Sequence, residues 1–218
     1  MAEITITEDG SHTIYVPELD EHYHSVHGAI QESMHIFIRN GFENFEKDRI
    51  NILEIGFGTG LNAYLTALSN KALCKNVHYT SIEKFPLPVG ITDRLNYNSL
   101  LPDADPLLFK LLHSASWNTD VRIDTNFVIH KINADLTEYF PEGIFDLVYF
   151  DAFGPDKQPE MWKSEIFAMI AEHTSGDAVL MTYSAKGDVK RKLRSNGFKV
   201  KLLPGPPGKR HIIRALKY

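Results

Sequence analysis

The chain has 218 residues, of which 43% are hydrophobic and 23% are charged, and its formal net charge is −5. This length and composition fit one globular domain with a small extension and argue against extensive disorder. No apolar run reaches the roughly 20 residues that span a bilayer, and the N-terminus lacks the basic and apolar regions of a leader peptide. The single cysteine, Cys74, cannot form an internal disulfide. We therefore expect a soluble, cytoplasmic protein with no membrane partner.

Charge is distributed unevenly along the chain. Residues 186–218 contain eleven Lys or Arg side chains but only one acid, Asp188, whereas the rest of the chain is acidic. Such asymmetry is typical of a protein with a polyanionic partner. A solvated basic helix and strand without any partner are the alternative.

The first predicted elements form an N-terminal extension over residues 1–45. Alternating apolar residues on both sides of Asp9-Gly10 predict a β-hairpin. Apolar residues at helical spacing then predict an amphipathic helix from Val26 to about Asn40. We expect this hairpin and helix to pack on a catalytic domain formed by residues 46–218.

From Ile50 onward, strand-like runs alternate with helix-like segments. The expected strands read INILEIG, VHYTSIE, NFVIHKIN, FDLVYFD, AVLMTYS and GFKVKLL. The expected helices cover residues 60–70, 91–99 with 105–117, 135–140, 161–174 and 186–196. This alternation predicts an α/β fold with a mostly parallel sheet covered on both faces. A last strand in KRHIIRALKY should be antiparallel, because only the turn-rich PGPPG precedes it.

The glycine-rich turn NILEIGFGTGLN predicts a nucleotide-like cofactor. Gly56, Gly58 and Gly60 do not have the G-x-G-x-x-G spacing of a dinucleotide site. Asn62 follows where a phosphate-binding loop would need Lys and Ser or Thr. The remaining pattern, an acid followed by alternating glycines, resembles the first motif of the Rossmann-like class I methyltransferases that use S-adenosylmethionine. Glycines allow the backbone to approach such a ligand closely.

Acidic residues follow successive strands of the predicted sheet, where ligands of open parallel sheets bind. We expect Glu54 to meet the amino group of the cofactor, Glu83 to accept hydrogen bonds from both ribose hydroxyls, and Asp135 to accept one from the adenine. Each acid taken alone could instead be a helix cap or a surface charge. Their occurrence together beside a glycine turn favours the cofactor site.

The segment DAFGPDKQPEMW follows the fourth strand of the predicted sheet, where a substrate would meet the methyl group. Asp151 is therefore the leading catalytic candidate, either aiming the substrate amine or accepting its proton. Phe153 is a candidate for stacking on an extruded base. The alternatives are that Asp151 caps a turn and that Phe153 and Trp162 are core residues.

Longer segments resemble the methyltransferase component of the MnmC family, which completes 5-methylaminomethyl-2-thiouridine at the tRNA wobble position. They read YHSVHGAIQES, GFGTGLN, SIEKFPL, DAFGPDKQPEMW, TYSAKGDVKRKLRSNGF and PGPPGKR. The resemblance implies that Tyr23 and Glu32 help to close the pocket and that Asp151 faces the amine. It implies that Gly56, Gly58, Gly60 and Glu83 bind S-adenosylmethionine and that Asp135 lies near its adenine. We expect Asn62 and Lys84 to bind the cofactor as well.

The function expected from this resemblance is N-methylation of the 5-aminomethyl group of uridine, or 2-thiouridine, in the anticodon stem-loop of tRNA. No fused, flavin-binding oxidase domain is expected in these residues. A polyamine synthase-like transferase and a non-catalytic RNA-binding module are the alternatives.

The basic segment contributes the expected tRNA contacts. Helical spacing puts Lys186, Lys190 and Arg194 on one face, and PGPPGKR should bring further cations to the carboxyl ends of the strands. The full set of candidates is Lys186, Lys190, Arg191, Arg194, Lys209 and Arg210. A metal site is not expected, since His22, His24 and His27 have no acid-rich partner segment at suitable spacing.

Overall fold

The computed structural model describes residues 3–218, and its N-terminal part is a small antiparallel sheet followed by a helix. The three strands are β1 (Glu3–Ile6), β2 (His12–Val16) and β3 (Glu21–His22). The predicted hairpin is confirmed, because β1 and β2 pair across the Asp9-Gly10 turn. The predicted helix begins later than expected, as α1 (Ala29–Ser33), and continues as a π-helix over Met34–Arg39. A 3-10 turn at Phe42–Asn44 leads into the main sheet.

Eight strands form the central sheet. In chain order with their helices, these elements are β4 (Arg49–Ile55), α2 (Leu61–Leu73), β5 (Asn76–Glu83), α3 (Val89–Thr92), α4 (Tyr97–Leu100), α5 (Pro106–Ser114), β6 (Asp120–Asp124), β7 (Phe127–Asn133), β8 (Phe145–Phe150), α6 (Ser164–Glu172), β9 (Thr174–Thr182), α7 (Gly187–Ser195), β10 (Phe198–Pro204) and β11 (His211–Lys217). A 3-10 turn at Pro159–Trp162 precedes α6.

The strand order across the sheet is β10-β11-β9-β8-β4-β5-β7-β6. The five inner strands from β9 to β7 form four pairings, all of them parallel, as their apolar sequences predicted. The expected antiparallel last strand is confirmed, since β11 runs opposite to both β9 and β10. Consequently the loop between β10 and β11 returns to the edge of the sheet where the parallel strands end.

Two apolar cores cover the faces of this sheet. On one face, side chains from α2, α5 and the π-helix pack against Tyr79 and Phe127. On the other, side chains from α6 and α7 pack against Phe150 and Ile132. Within residues 3–218, no helix is long and apolar enough to cross a membrane.

Two sequence-based expectations about elements are wrong. The helix expected over 135–140 is a turn, because the Asp135 side chain accepts hydrogen bonds from the backbone N–H and the hydroxyl of Thr137 at 2.9 and 2.7 Å. Such bonds compete with helix formation, and Pro141 follows too soon for a helix to extend. Strand β6 was not expected, since its charged sequence DVRID lies at the sheet edge.

Candidate active site

One large cavity, of about 600 Å³, opens at the carboxyl ends of β4, β5, β7 and β8. Its volume is within the range of sites that enclose a cofactor-sized ligand. The cavity is lined by the glycine loop after β4, by residues that follow the other strands, and by residues 19–27 of the N-terminal segment. The topology therefore brings most of the sequence-predicted site residues together.

The glycine loop needs its glycines for two separate reasons. Gly56 and Gly58 have φ angles of +90° and +51°, which residues with a side chain rarely adopt. A Cβ at Gly58 would lie 2.9 Å from the Tyr23 ring, and one at Gly56 would lie 3.2 Å from the backbone oxygen of Asp151. Both glycines line the cavity. Gly60 lies outside the lining, at the start of α2.

Glu83 holds the glycine loop in place. Its Oε2 accepts a hydrogen bond from the Gly58 N–H at 3.0 Å, and its Oε1 accepts one from the Phe85 N–H at 2.8 Å. Burial raises the pKa of the Glu83 carboxyl, although these backbone hydrogen bonds oppose that shift. Glu83 lines the cavity at the end of β5, where the sequence analysis expected a ribose-binding acid.

Glu54 does not reach the cavity, which corrects its expected contact with the cofactor's amino group. The side chain is 0% exposed and lies outside the cavity lining. Its Oε2 accepts a hydrogen bond from the Ser81 hydroxyl at 2.6 Å. Burial raises the pKa of Glu54 to about 8, so the carboxyl is mostly protonated at neutral pH. Its position makes Glu54 a buried support beneath the loop.

Lys84 and Asp135 form an ion pair on the cavity wall, with Nζ and Oδ2 2.6 Å apart. The hydrogen bond from Lys84, together with those from Thr137, lowers the pKa of Asp135 to about 2. Asp135 is therefore ionised, and several donors already contact its oxygens. An adenine amino group would share this carboxylate with Lys84.

Asp151 lies at the end of β8, and Asn62 orients it. The Asn62 Nδ2 donates a hydrogen bond to the Asp151 Oδ2 at 2.8 Å, and both side chains line the cavity. Burial raises the pKa of Asp151 well above its usual value, and the nearby charge of Glu32 adds to this effect. A carboxyl in these surroundings is suited to binding a cation or accepting a proton.

Residues from both ends of the sequence form the roof of the cavity. The Tyr23 ring packs edge-on against Phe153, with the centroids 5.0 Å apart. Glu32 accepts a hydrogen bond from the Ser25 N–H at 2.7 Å and forms a 2.8 Å ion pair with Lys209. These side chains line the cavity, in agreement with the expectation that the N-terminal segment helps to close it.

Gly56 and Gly58 allow a ligand to approach the backbone closely, and Glu83 adds a carboxyl group beside them. This combination suits a nucleoside, whose ribose hydroxyls can donate hydrogen bonds to that carboxyl group. A family model described as S-adenosyl-L-methionine-dependent methyltransferase matches residues 108–218, just over half of the chain. The chain belongs to this methyltransferase family. Its cofactor is S-adenosylmethionine, as the glycine spacing predicted.

Curated relatives match the methyltransferase over nearly all of its length. The tRNA 5-methylaminomethyl-2-thiouridine biosynthesis bifunctional protein MnmC of Cupriavidus metallidurans is 32% identical over 97% of this chain and 33% of its own length. The protein of the same name from Azoarcus sp. is 30% identical over 98% of this chain and 35% of its own length. The methyltransferase thus spans about one third of the length of these relatives.

Solved structures share the fold of the methyltransferase. MnmC2 from Aquifex aeolicus superposes with a TM-score of 0.82 at 26% identity, covering 99% of this chain and 69% of that one. Spermidine synthase from Thermotoga maritima superposes with a TM-score of 0.59 at 12% identity, covering 100% of this chain and 72% of that one. The second likeness extends to the fold alone.

The basic residues of the methyltransferase fall into two groups. Within residues 3–218, the Lys190 and Arg194 side chains form no ion pair, whereas Lys186 pairs with Asp156 and Arg191 with Asp188. Arg210 is exposed. Lys209 differs from the expectation of a surface phosphate contact, because its ammonium lies in the cavity between Glu32 and the Tyr183 ring.

Tyr183 and His24 line the cavity but are not among the site residues predicted from the sequence. Tyr183 follows β9, and its hydroxyl donates a hydrogen bond to the Ala152 backbone oxygen at 2.8 Å. Searching strand ends for aromatic residues as well as acids would have found it. His24 was considered only as a metal ligand, but it lines the cavity, and burial lowers its pKa to about 4. An uncharged His24 therefore forms part of the wall at neutral pH.

Proposed function

We propose that the methyltransferase transfers a methyl group to the primary amine of 5-aminomethyl uridine, or its 2-thio form, at the wobble position of tRNA. The observation that carries this proposal is the half-buried Asp151, held by Asn62 beside the glycine loop in a cavity with acidic walls. The names of the MnmC relatives, which match this chain from end to end, support the choice of substrate.

Three features are assigned to cofactor binding. Gly56 and Gly58 admit the ligand close to the backbone, and Glu83 offers its carboxylate to the ribose. Asp135, with Lys84, borders the adenine. Tyr23 closes the roof over the glycine loop. S-adenosylmethionine supplies an electrophilic methyl group on a sulfonium, whose positive charge suits the acidic wall.

The substrate amine must be neutral when it attacks the methyl carbon. As the new N–C bond forms, the C–S bond breaks and the nitrogen later loses a proton. An amine with a lysine-like pKa would require about 4.6 kcal/mol to be neutral at pH 7. Asp151 can accept that proton or a hydrogen bond from the amine, and its raised pKa makes it a better proton acceptor than an exposed aspartate.

Two cations of α7, the partly exposed Lys190 and the exposed Arg194, are assigned to the tRNA backbone. Lys190 and Arg194 are not engaged in ion pairs within residues 3–218, so their charges are available to phosphates. Phe153 borders the cavity, where it can stack on an extruded base. Only the methyl-transfer step is assigned to these residues, because the longer relatives are named as bifunctional.

The test compares methyl transfer to three tRNA preparations that differ only at the wobble uridine. Radiolabelled S-adenosylmethionine should label tRNA carrying the 5-aminomethyl group, but neither unmodified tRNA nor tRNA carrying a carboxymethylaminomethyl group. Equal labelling of unmodified tRNA would contradict the proposal. A parallel reaction with decarboxylated S-adenosylmethionine and putrescine tests the polyamine alternative, and product formation there would overturn the assignment.

A further inference from the structure

Two imidazoles and a carboxylate converge on the sheet far from the cavity. They belong to His78 on β5, His130 on β7 and Asp120 on the edge strand β6. The His130 Nδ1 lies 2.8 Å from the Asp120 Oδ1, and the His78 Nε2 lies 3.2 Å from the same oxygen. One potential ligand atom from each residue lies within 4.8 Å of the other two.

Strand register places these three side chains on one face. Asp120 is directly opposite His130 in the β6–β7 pairing. His130 also pairs in register with Thr80, so His78 lies two residues away on the same side. Because each residue is in a strand of the sheet, the backbone positions of the cluster are fixed.

The face that carries the cluster is left uncovered by the connection after β7. On this face the core formed with α6 includes Ile82 and Ile132, which point to the same side as His78 and His130. Residues 134–144, which join β7 to β8, form turns where a helix was expected. The imidazoles are consequently accessible, with side-chain exposures of 38% for His78 and 31% for His130.

We propose that His78, His130 and Asp120 bind a divalent transition-metal ion of the Zn²⁺ class. Imidazole nitrogen and carboxylate oxygen bind Zn²⁺ at about 2.0–2.2 Å, so neighbouring ligand atoms of a tetrahedral site are about 3.3 Å apart. The 3.2 Å separation of the His78 nitrogen from the Asp120 oxygen is close to that value, and the 2.8 Å separation of the His130 nitrogen is shorter, so a small side-chain adjustment would complete the site. Two imidazoles favour Zn²⁺, Ni²⁺ or Cu²⁺ over Mg²⁺ and Ca²⁺. Water completes the coordination.

The proposed ion has a structural role. His78 precedes Glu83 by five residues on β5, about 17 Å along the strand, so the ion lies away from the reacting groups. Ligands from three strands would link the edge strand β6, whose neighbour in the sheet is β7, to β5. Metal binding should therefore stabilise this edge of the sheet, because the ion binds the folded arrangement.

The test is a titration of the whole protein, first treated with a chelator, with Zn²⁺ and separately with Co²⁺. Calorimetry should give one ion per chain, Co²⁺ should give the intense visible absorption of a four-coordinate site, and Zn²⁺ should raise the Tm. His130→Gln and Asp120→Asn should each weaken binding roughly 100-fold or more, since a direct ligand is lost. Circular dichroism checks that both variants are folded.

The matched control is His27→Gln. The His27 Nδ1 also contacts a carboxylate, Glu8, at 2.9 Å, but it is outside the three-ligand cluster. This variant should bind Zn²⁺ as the unaltered protein does. The proposal is overturned if the unaltered protein does not bind Zn²⁺ at micromolar concentrations, or if both cluster variants retain full affinity. Methyl transfer by His130→Gln should be unchanged, so the outcome is independent of the tRNA assignment.

Discussion

Three carboxyl groups in and below the cavity have raised pKa values, and burial is the leading cause for each. They are Glu54, Glu83 and Asp151. Ionising any of them is unfavourable, because burial removes hydration that few nearby positive groups offset. A sulfonium or an ammonium in the cavity would supply that positive charge. The charge of the acidic wall alone therefore favours cationic reactants, whatever their shape.

We predict that Asp151→Asn retains S-adenosylmethionine binding but loses most turnover. The substitution preserves the shape of the side chain and removes the negative charge that orients and deprotonates the amine. Single-turnover methylation should slow by about 10²–10⁴-fold, while calorimetry with the cofactor gives an unchanged affinity. Asp103→Asn, which removes an exposed carboxylate, is the control. An unaltered single-turnover rate in Asp151→Asn would refute the assignment.

Glu83→Ala should mainly weaken cofactor binding. The change removes the proposed ribose contact and leaves the N–H groups of Gly58 and Phe85 without their acceptor. We expect a loss of about 1.5–3 kcal/mol in S-adenosylmethionine affinity. Isothermal titration measures this loss, with the exposed Glu138→Ala as the control. If Glu83→Ala binds the cofactor as tightly as Glu138→Ala, the ribose site lies elsewhere.

We predict that Lys209→Met destabilises the folded protein, because Lys209 pairs with an acid in the cavity instead of with tRNA phosphates. Removing this ammonium leaves Glu32, 10% exposed, without its counterion and close to Asp151. The free energy of unfolding should fall by about 1–3 kcal/mol, and Glu32→Gln in the same chain should recover part of it. Denaturant unfolding of both single variants and the double variant measures the coupling.

The salt dependence of tRNA binding should remain the same in Lys209→Met, because this side chain lies inside the cavity. A slope of log K against log salt that falls by about one unit would instead identify Lys209 as a phosphate contact. The two roles are thus separated by one measurement.

At the scale of elements, the parallel strands were predictable, because buried strands have continuous apolar sequences that differ from their surroundings. The turn at Asp135 was not, since its side-chain hydrogen bonds replace a helix that the local composition permits. Strand β6 has charged residues on one side because it lies at the sheet edge. Its sequence alone resembles a loop.

The candidate site was partly predictable from the rule that ligands bind where parallel strands end. That rule located Glu83 and Asp151 at the cavity. It did not predict that Glu54, which lies one residue before the end of β4 and pairs in register with Ser81, is enclosed within the sheet instead of exposed at its edge. Nor can spacing show that Lys209 turns inward, because this depends on how the β10–β11 loop packs against the N-terminal segment.

Helix α7 provides a test of the tRNA-binding surface. Reversing Lys190 and Arg194 to Glu should raise the KM for tRNA and reduce the slope of log K against log salt by up to about two units. Reversing Lys199 and Lys201, both exposed on β10, is the matched control because it changes the net charge equally. If both double variants behave alike, the effect comes from overall charge and α7 is not the binding surface.

For the whole molecule, we predict that stability falls as pH rises from about 6.5 to 8. The folded-state pKa of Glu54 is raised from 4.5 to about 8, so across this window the folded protein binds a proton that the unfolded chain has released. This contributes a decrease of about 1.4 kcal/mol per pH unit near pH 6.5, and about half that slope near pH 8, where the folded carboxyl is half ionised. Burial lowers the pKa values of His24 and His113 to about 4, so these residues act below 6.5, where stability decreases as pH falls.

Glu54→Gln isolates this contribution. The free energy of unfolding, measured with urea at several pH values between 6.5 and 8, should decline less steeply in this variant than in the unaltered protein. Lys131, whose pKa burial lowers to about 8, has the opposite sign and acts mainly above the window in both proteins. Parallel slopes for the two proteins would show that the Glu54 carboxyl does not titrate there.

The roof of the cavity joins Tyr23 and Glu32 to Lys209, which lies in the loop before the last strand. A protein emerges from the ribosome with its N-terminal part first. The glycine loop and the first strands can therefore assemble while the segment that supplies Lys209 is still inside the ribosome. The nascent chain has no closed cofactor pocket until that hairpin emerges and folds back onto the N-terminal segment. Capture of S-adenosylmethionine in a closed pocket consequently has to follow synthesis of the segment that carries Lys209.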